Sequence, residues 1–463
     1  MIKDLLKVFS TNLVKMFAMV LTTFFVPAAL SIGEYASFKY YALIASYVGL
    51  LHFGFCDGVF VEYGGVELKS ANKTTIADEQ KSLLYFEVIV SLLILSAGLI
   101  MWDAIVLLIG LSVIPTILFS YYTLLFQASG DFKNYSIAYN IQSLMSIVTT
   151  AILVFVIKLD SGLLYAGVSV ISVAIATAII AFKFNSIFIK NSGKFKYDLL
   201  KKYMQIGILL TIGNIAFVLF GSIDKWYVKI VLGNEAFAYY SFAVQLLSIL
   251  NFVMGPVGFT LYSYMCKRRE KEYEYRLKSV IMLLLFFMLG VVFIVKIIIS
   301  TYLKEYLPAL SLITVLFLAQ VFILLNTILY VNLYKTYKMQ KQYFRNLIIA
   351  IVFSLVLNHL VYSSGWESGI GYAYATLVCM IGWSILNLLD FKYLAFKPRH
   401  IVFVILMIVA YFSTERIQYE LAGMCFYYLL LAVCSMTLNF DAFKILYGQV
   451  ISLKSSMINR MQR

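Results

Sequence analysis

The chain has 463 residues, of which 62% are hydrophobic, 16% aromatic and 13% charged, with a formal net charge of +14. Soluble proteins carry about 25% charged residues, so an ordinary water-soluble enzyme is excluded, and a disordered chain would be poor in aromatics. Apolar runs of about twenty residues recur to the end, and the alternating segments of an outer-membrane barrel are missing from the sequence, which predicts an all-α polytopic membrane protein.

In chain order, about fourteen spans are predicted. The first eight are 13–30, 40–61, 83–101, 104–126, 137–157, 162–181, 204–223 and 237–264. The remaining six are 280–299, 310–334, 347–361, 369–389, 401–413 and 421–438. Placing the N-terminus inside gathers about 30 of the 37 Lys and Arg on one side, as membrane insertion favours. Lys39, Lys158, Lys225, Lys229, Lys296, Lys304 and Arg416 fall outside. The positive charge is therefore a topology signal, with both termini expected in the cytoplasm and no nucleic-acid partner. The clusters at 183–202 and 267–278 are the densest inner ones, and the second reads most simply as a solvated loop, with attraction of anionic lipid or of a diphosphate substrate as the alternative.

The connections exclude further functions. The outer ones, such as MWDA, KLDS and SSGWES, are short, so no extracytoplasmic domain is expected. Neither a P-loop nor a GxGxxG occurs, which removes ATP-driven pumping by this polypeptide alone. Five scattered cysteines and three dispersed histidines offer no metal site, and nothing resembles a catalytic constellation.

An internal repeat carries more information. Residues 29–43, ALSIGEYASFKYYAL, match 231–244, VLGNEAFAYYSFAV. Each copy follows an apolar span, and each presents Glu (Glu34, Glu235), an aromatic and a small residue before the next span. Copies about 200 residues apart, separated by an even number of spans, predict two parallel lobes of six helices with a cavity between them. The expected division is an N-terminal lobe at 1–182, a basic cytoplasmic linker at 183–203, a C-terminal lobe at 204–390, and a helix pair with a cytoplasmic tail at 391–463.

The stretches GEYASFKYYAL, HFGFCDGVFVEYGG, FQASGDFKNYS and DKWYVKIVLGNEAFAYYSFAV, in this order and spacing, resemble the Wzx-type O-antigen repeat-unit flippases of the MOP (MATE-like) superfamily. The chain departs from the pattern at Glu62, where relatives often carry arginine before YGG. The resemblance implies a flippase that moves an undecaprenyl-diphosphate-linked oligosaccharide from the cytoplasmic to the periplasmic leaflet of a bacterial inner membrane by alternating access. It implies no cofactor, H+ or Na+ as the coupling ion, and a polysaccharide polymerase and chain-length regulator as pathway partners. The rival readings are a cation-coupled drug exporter, an O-antigen polymerase, which should carry a sizeable periplasmic loop, and a lipid II flippase, whose arginine-rich lumen is not evident here.

Such a substrate needs cations for its diphosphate and hydroxyls or amides for its glycan. Asp57 lies inside the second span, where it either binds a proton, cation or sugar hydroxyl, or pairs structurally with a neighbouring helix. Asp224, Lys225 and Lys229 close the seventh span. Two lysines four apart share a helix face and repel, which a diphosphate would relieve, with snorkelling to headgroups as the rival account. Lys15 could meet the diphosphate at entry or anchor the first span. Lys296 reads as a snorkelling residue, and the tyrosines as interfacial belts. The amides Asn140, Gln142, Asn214, Gln245, Asn251, Gln320, Asn326 and Asn332 read mainly as bonds between helices.

Overall fold

A computed structural model describes residues 16–68, 70–188, 193–366 and 368–445. These residues are organised almost entirely as helices. Twelve of the helices are long and apolar enough to cross a membrane, so the chain is an all-α, multi-pass membrane protein. They correspond to the third through fourteenth predicted spans. Of the other two, the first contributes the shorter apolar helix α1 (Met16–Ala29), and its predicted start lies outside the described residues.

The second span corrects the expectation of one continuous helix. It runs as α2 (Ile32–Val48), a succession of turns, and α3 (Phe55–Glu62). Phe53 and Gly54 both adopt positive φ, at 46° and 98°. Glycine tolerates that conformation, whereas phenylalanine is strained in it. The chain therefore re-enters helix at Gly54, with Asp57 in the first turn of α3.

The rest of the first compact unit, Met1–Ser222, comprises α4 (Lys73–Met101), α5 (Ala104–Ala128), α6 (Phe132–Ile157), α7 (Gly162–Phe188) and α8 (Tyr197–Phe220). Polar caps set the helix starts. Asn72 accepts from Thr74 N at 3.0 Å, Asp103 from Ile105 N at 2.8 Å, and Asp131 from Asn134 N at 3.1 Å. Each cap satisfies a donor that a helix start leaves open. The SGD of FQASGDFKNYS is thus a helix-to-helix turn, with Gly130 at φ 71°.

The units part at Ser222–Ile223, later than the 183–203 linker expected from the sequence. The cause is packing, because α8 lies against α3, α4 and α2. Gly54, Gly58 and Gly207 make the α3–α8 approach one of backbone against backbone. A Cβ on Gly58 would stand 2.1 Å from Tyr203 O, and one on Gly207 2.0 Å from Gly54 O. GFCDG is a small-xxx-small seam, the means by which helices in lipid approach closely.

The second unit, Ile223–Arg463, opens with α9 (Ile223–Tyr227) and a π-helical turn at Val228–Leu232, followed by α10 (Gly233–Lys267). Then come α11 (Lys271–Tyr302), α12 (Lys304–Thr336), α13 (Gln340–Ser363), α14 (Gly369–Asp390), α15 (Pro398–Glu415) and α16 (Glu420–Leu438). α12 forms the centre of this unit and packs on α10, α11 and α14. The repeat has a structural counterpart. Tyr35 and Ala36 in the first unit, and Phe237 and Ala238 in the second, are fully buried near the start of their helices.

Candidate functional site

Each unit buries ionisable groups within or beside its apolar helices. In the first, Asp57 is buried and its Oδ2 accepts from Thr211 Oγ1 at 2.5 Å. Thr211 lies one turn beyond Gly207, so the close glycine approach is what brings the hydroxyl to the carboxylate. His52 is buried in the turn preceding α3, where its Nδ1 accepts from Gly54 N at 3.1 Å.

Two glutamates on α4 complete this unit's polar interior, and the sequence analysis does not single out either of them. Glu79 is fully buried and accepts three tyrosine hydroxyls, from Tyr63 at 2.9 Å, Tyr121 at 3.2 Å and Tyr203 at 2.6 Å. Eight residues on, Glu87 lies on the same helix face and is also fully buried, but neither of its carboxyl oxygens has a hydrogen-bond partner among the described residues. The signal for Glu87 was present, since a carboxylate within an apolar span marks a functional position by default. Glu274 in the second unit echoes Glu79. It is fully buried and accepts from Tyr337 Oη at 2.9 Å and from Tyr393 Oη.

Asp224 is buried in the second unit at the start of α9. Its Oδ2 accepts from Tyr240 Oη at 2.6 Å and Thr376 Oγ1 at 2.9 Å, and its Oδ1 from Lys225 N at 2.8 Å. α9 also packs on α13, where buried Asn358 has an Oδ1 without a partner among the described residues. Carboxylate, hydroxyl and amide oxygens of this kind suit a small hard cation, although no group of three His, Cys, Asp or Glu gathers for a metal among the described residues.

The sequence-predicted residues separate accordingly. Asp57 belongs to the first unit, and Asp224, Lys225 and Lys229 belong to the second. Lys225 is within electrostatic reach of Asp224. The Lys229 ammonium donates to Asn234 Oδ1 and stands 5.5 Å from the centre of the Phe237 ring. Lys15 lies outside the described residues. Glu62, at the departure from the resembled pattern, pairs with Lys202 at 2.6 Å, so α8 supplies a cation beside that position.

Three expectations need correction. Lys296 does not snorkel. It is 2% exposed and pairs with Glu415, which also accepts from Thr314 Oγ1 at 3.0 Å, so the charge ties α11 to α15. Lys278 is not part of a solvated loop, because α11 begins at Lys271. Lys278 is buried and its Nζ donates to Leu394 O at 2.6 Å. Many tyrosines lie in the interior and not at interfaces, where they bond carboxylates as above. The amides Gln320, Asn326 and Asn332 do bridge helices, to Asn251 at 2.6 Å, Met380 O at 3.2 Å and Gly258 O at 2.8 Å.

Breaking the Lys296–Glu415 pair should cost more than removing it. Lys296→Met leaves a partly buried carboxylate uncompensated, with an expected loss of about 3 kcal/mol. Lys296→Met combined with Glu415→Leu should recover most of that loss. Thermal unfolding of the purified variants in detergent checks the order, and equal losses for the single and double variants would contradict it.

No protein-family model matches the chain, and no curated protein matches it in sequence. Solved structures do. The lipid II flippase MurJ, in its inward closed conformation, superposes with a TM-score of 0.73 at 14% identity, covering 97% of this chain and 100% of that one. Multidrug resistance MATE family transporters of the MOP superfamily match less fully. The inward-facing form gives a TM-score of 0.59 at 11% identity over 83% of this chain and 95% of the other. The outward-facing form gives 0.56 at 11% identity over 84% and 95%. At these identities the likeness concerns architecture, and the chain has the fold shared by MurJ and the MATE transporters.

Proposed function

We propose that the chain is a flippase for an undecaprenyl-diphosphate-linked oligosaccharide, the O-antigen or a related surface-polysaccharide repeat unit. It would act by alternating access in a bacterial inner membrane, with both termini cytoplasmic, as a carrier and not as an enzyme. The observation that carries this reading is the superposition on a lipid-linked-substrate flippase over nearly the whole chain. The share of the chain covered falls to 84% or less with the MATE transporters, which favours a lipid-linked substrate over a drug.

The buried carboxyls support ion coupling. An ionised group without a partner costs several kcal/mol in a low-dielectric interior, so a bound proton or Na+ has most to offset at Glu87, and less at Asp57 and Asp224, whose hydroxyl donors already serve them. Lys225, Lys229 and Lys15 remain the candidate cations for the diphosphate. A polymerase would consume the product, with a chain-length regulator as its partner in the pathway.

The test is the leaflet location of lipid-linked oligosaccharide in cells lacking this protein, probed in intact and permeabilised spheroplasts with a lectin that cannot cross the membrane. Single repeat units should accumulate on the cytoplasmic face. Units that reach the outer face but stay unpolymerised would identify a polymerase instead. Unchanged glycolipid, with a loss of drug efflux, would identify an exporter.

A further inference from the structure

At one end of the second unit, the starts of α11 and α15 and the helical residues 440–445 that follow α16 line a cavity of about 300 Å³. Four cations line it, Arg276, Lys397, Arg399 and Lys444, against the carboxylates Glu272 and Asp441. Arg276 meets Glu272 at 2.5 Å and Arg399 meets Asp441 at 2.9 Å, so both carboxylates are already paired. Lys397 and Lys444 leave the wall with net positive charge. The positive end of α15 adds to it, with Lys397 at the N-cap and Pro398 in the first turn.

His400 supplies an independent sign of a ligand. It lines the same cavity, is 4% exposed, and has its Nδ1 2.6 Å from Tyr275 Oη, while its buried Nε2 has no hydrogen-bond partner among the described residues. When the tyrosine hydroxyl donates to Nδ1, Nε2 carries the proton and lacks an acceptor. Buried polar atoms are rarely left this way in a finished structure. The complement of a lone donor, an excess of cations and a helix N-terminus is a compact oxyanion with several acceptors. The cavity lies where α15 begins and α16 has just ended, at the ends of two apolar spans, which is where a bilayer presents its headgroups.

We infer that this cavity binds the phosphate headgroup of an anionic lipid, holding it by Lys397, Lys444, the His400 Nε2–H and the start of α15. The inference is independent of the flippase reading, because either a bilayer phospholipid or a polyprenyl diphosphate presents the required chemistry.

Native mass spectrometry of the full-length protein in detergent, titrated with cardiolipin or zwitterionic phosphatidylcholine, tests it. Lys397→Gln with Lys444→Gln should weaken cardiolipin binding about twenty-five-fold, at about fivefold for each charge near a membrane surface. A control with the same charge loss elsewhere, Lys335→Gln with Lys338→Gln, should stay within about twofold of the parent. His400→Phe should also weaken binding, by removing the donor without changing the lysines. Equal losses in the two lysine variants, or equal affinity for phosphatidylcholine and cardiolipin, would overturn the proposal. Should the double variant misfold, Lys444→Gln alone changes an exposed residue and should cost about fivefold. Displacement of cardiolipin by pyrophosphate would point to a diphosphate carrier as the natural ligand, and resistance to pyrophosphate to a diacyl phospholipid.

Discussion

Transport driven by an imposed cation gradient should fall about tenfold or more when Asp224 is replaced by asparagine, while the amount of folded protein stays close to the parent's. The loss corresponds to a coupling free energy of about 1–3 kcal/mol, the usual size for linked binding sites. Asparagine keeps the shape of the side chain and its carbonyl can still accept from Tyr240 and Thr376, so the fold has little reason to fail. What it removes is the negative charge, together with the one local bond from Lys225 N that an amide nitrogen cannot accept. If Asp224 only anchors α9 to α10 and α14, Asp224→Asn should transport normally across the gradient range, and that outcome would leave the coupling role with the first unit, where Glu87 gives a bound ion most to offset. Glu87→Gln separates the remaining cases, because it neutralises a carboxyl that makes no hydrogen bond to the described residues. Reconstituted vesicles with H+ and Na+ gradients imposed separately would identify the ion.

The distribution of these groups explains what could be read in advance. A bilayer demands about twenty apolar residues per helix, so the spans from the third to the fourteenth were legible from hydropathy alone. The repeat was legible too, since Tyr35–Ala36 and Phe237–Ala238 keep the same burial in both units. The break in the second span was not, because residues 49–54 are as apolar as their flanks and only backbone torsions distinguish them. Lys296 was misread for a related reason. Its partner Glu415 lies 119 residues away on another helix, and no periodicity connects them. Glu79 and Glu87 differ from these, since both stand in or beside an apolar run and were open to the argument applied to Asp57. The three tyrosines that hold Glu79 come from α5, α8 and the end of α3, a convergence that composition cannot show.

Gly207→Leu should be strongly damaging to the first unit. The added Cβ alone would overlap backbone atoms of α3, at 2.0 Å from Gly54 O and 2.4 Å from Gly58 N, and backbone cannot rotate away as a side chain can. Overpacking of well-packed interiors typically costs about 1–3 kcal/mol, and a clash with main chain belongs at or above the upper end. The damage should extend to Asp57, because prising α3 from α8 also withdraws the Thr211 hydroxyl. Thr211→Val separates the two effects by removing the donor while leaving the helices in contact. A buried carboxylate deprived of its hydrogen bond costs about 1–3 kcal/mol, so Thr211→Val should lower the thermal midpoint less than Gly207→Leu does. The midpoint in detergent and the yield of monodisperse protein give both readings. A Gly207→Leu protein as stable as the parent would mean that α8 does not pack on α3 through these glycines. In that case the placement of Asp57 beside Thr211 would lose its structural cause.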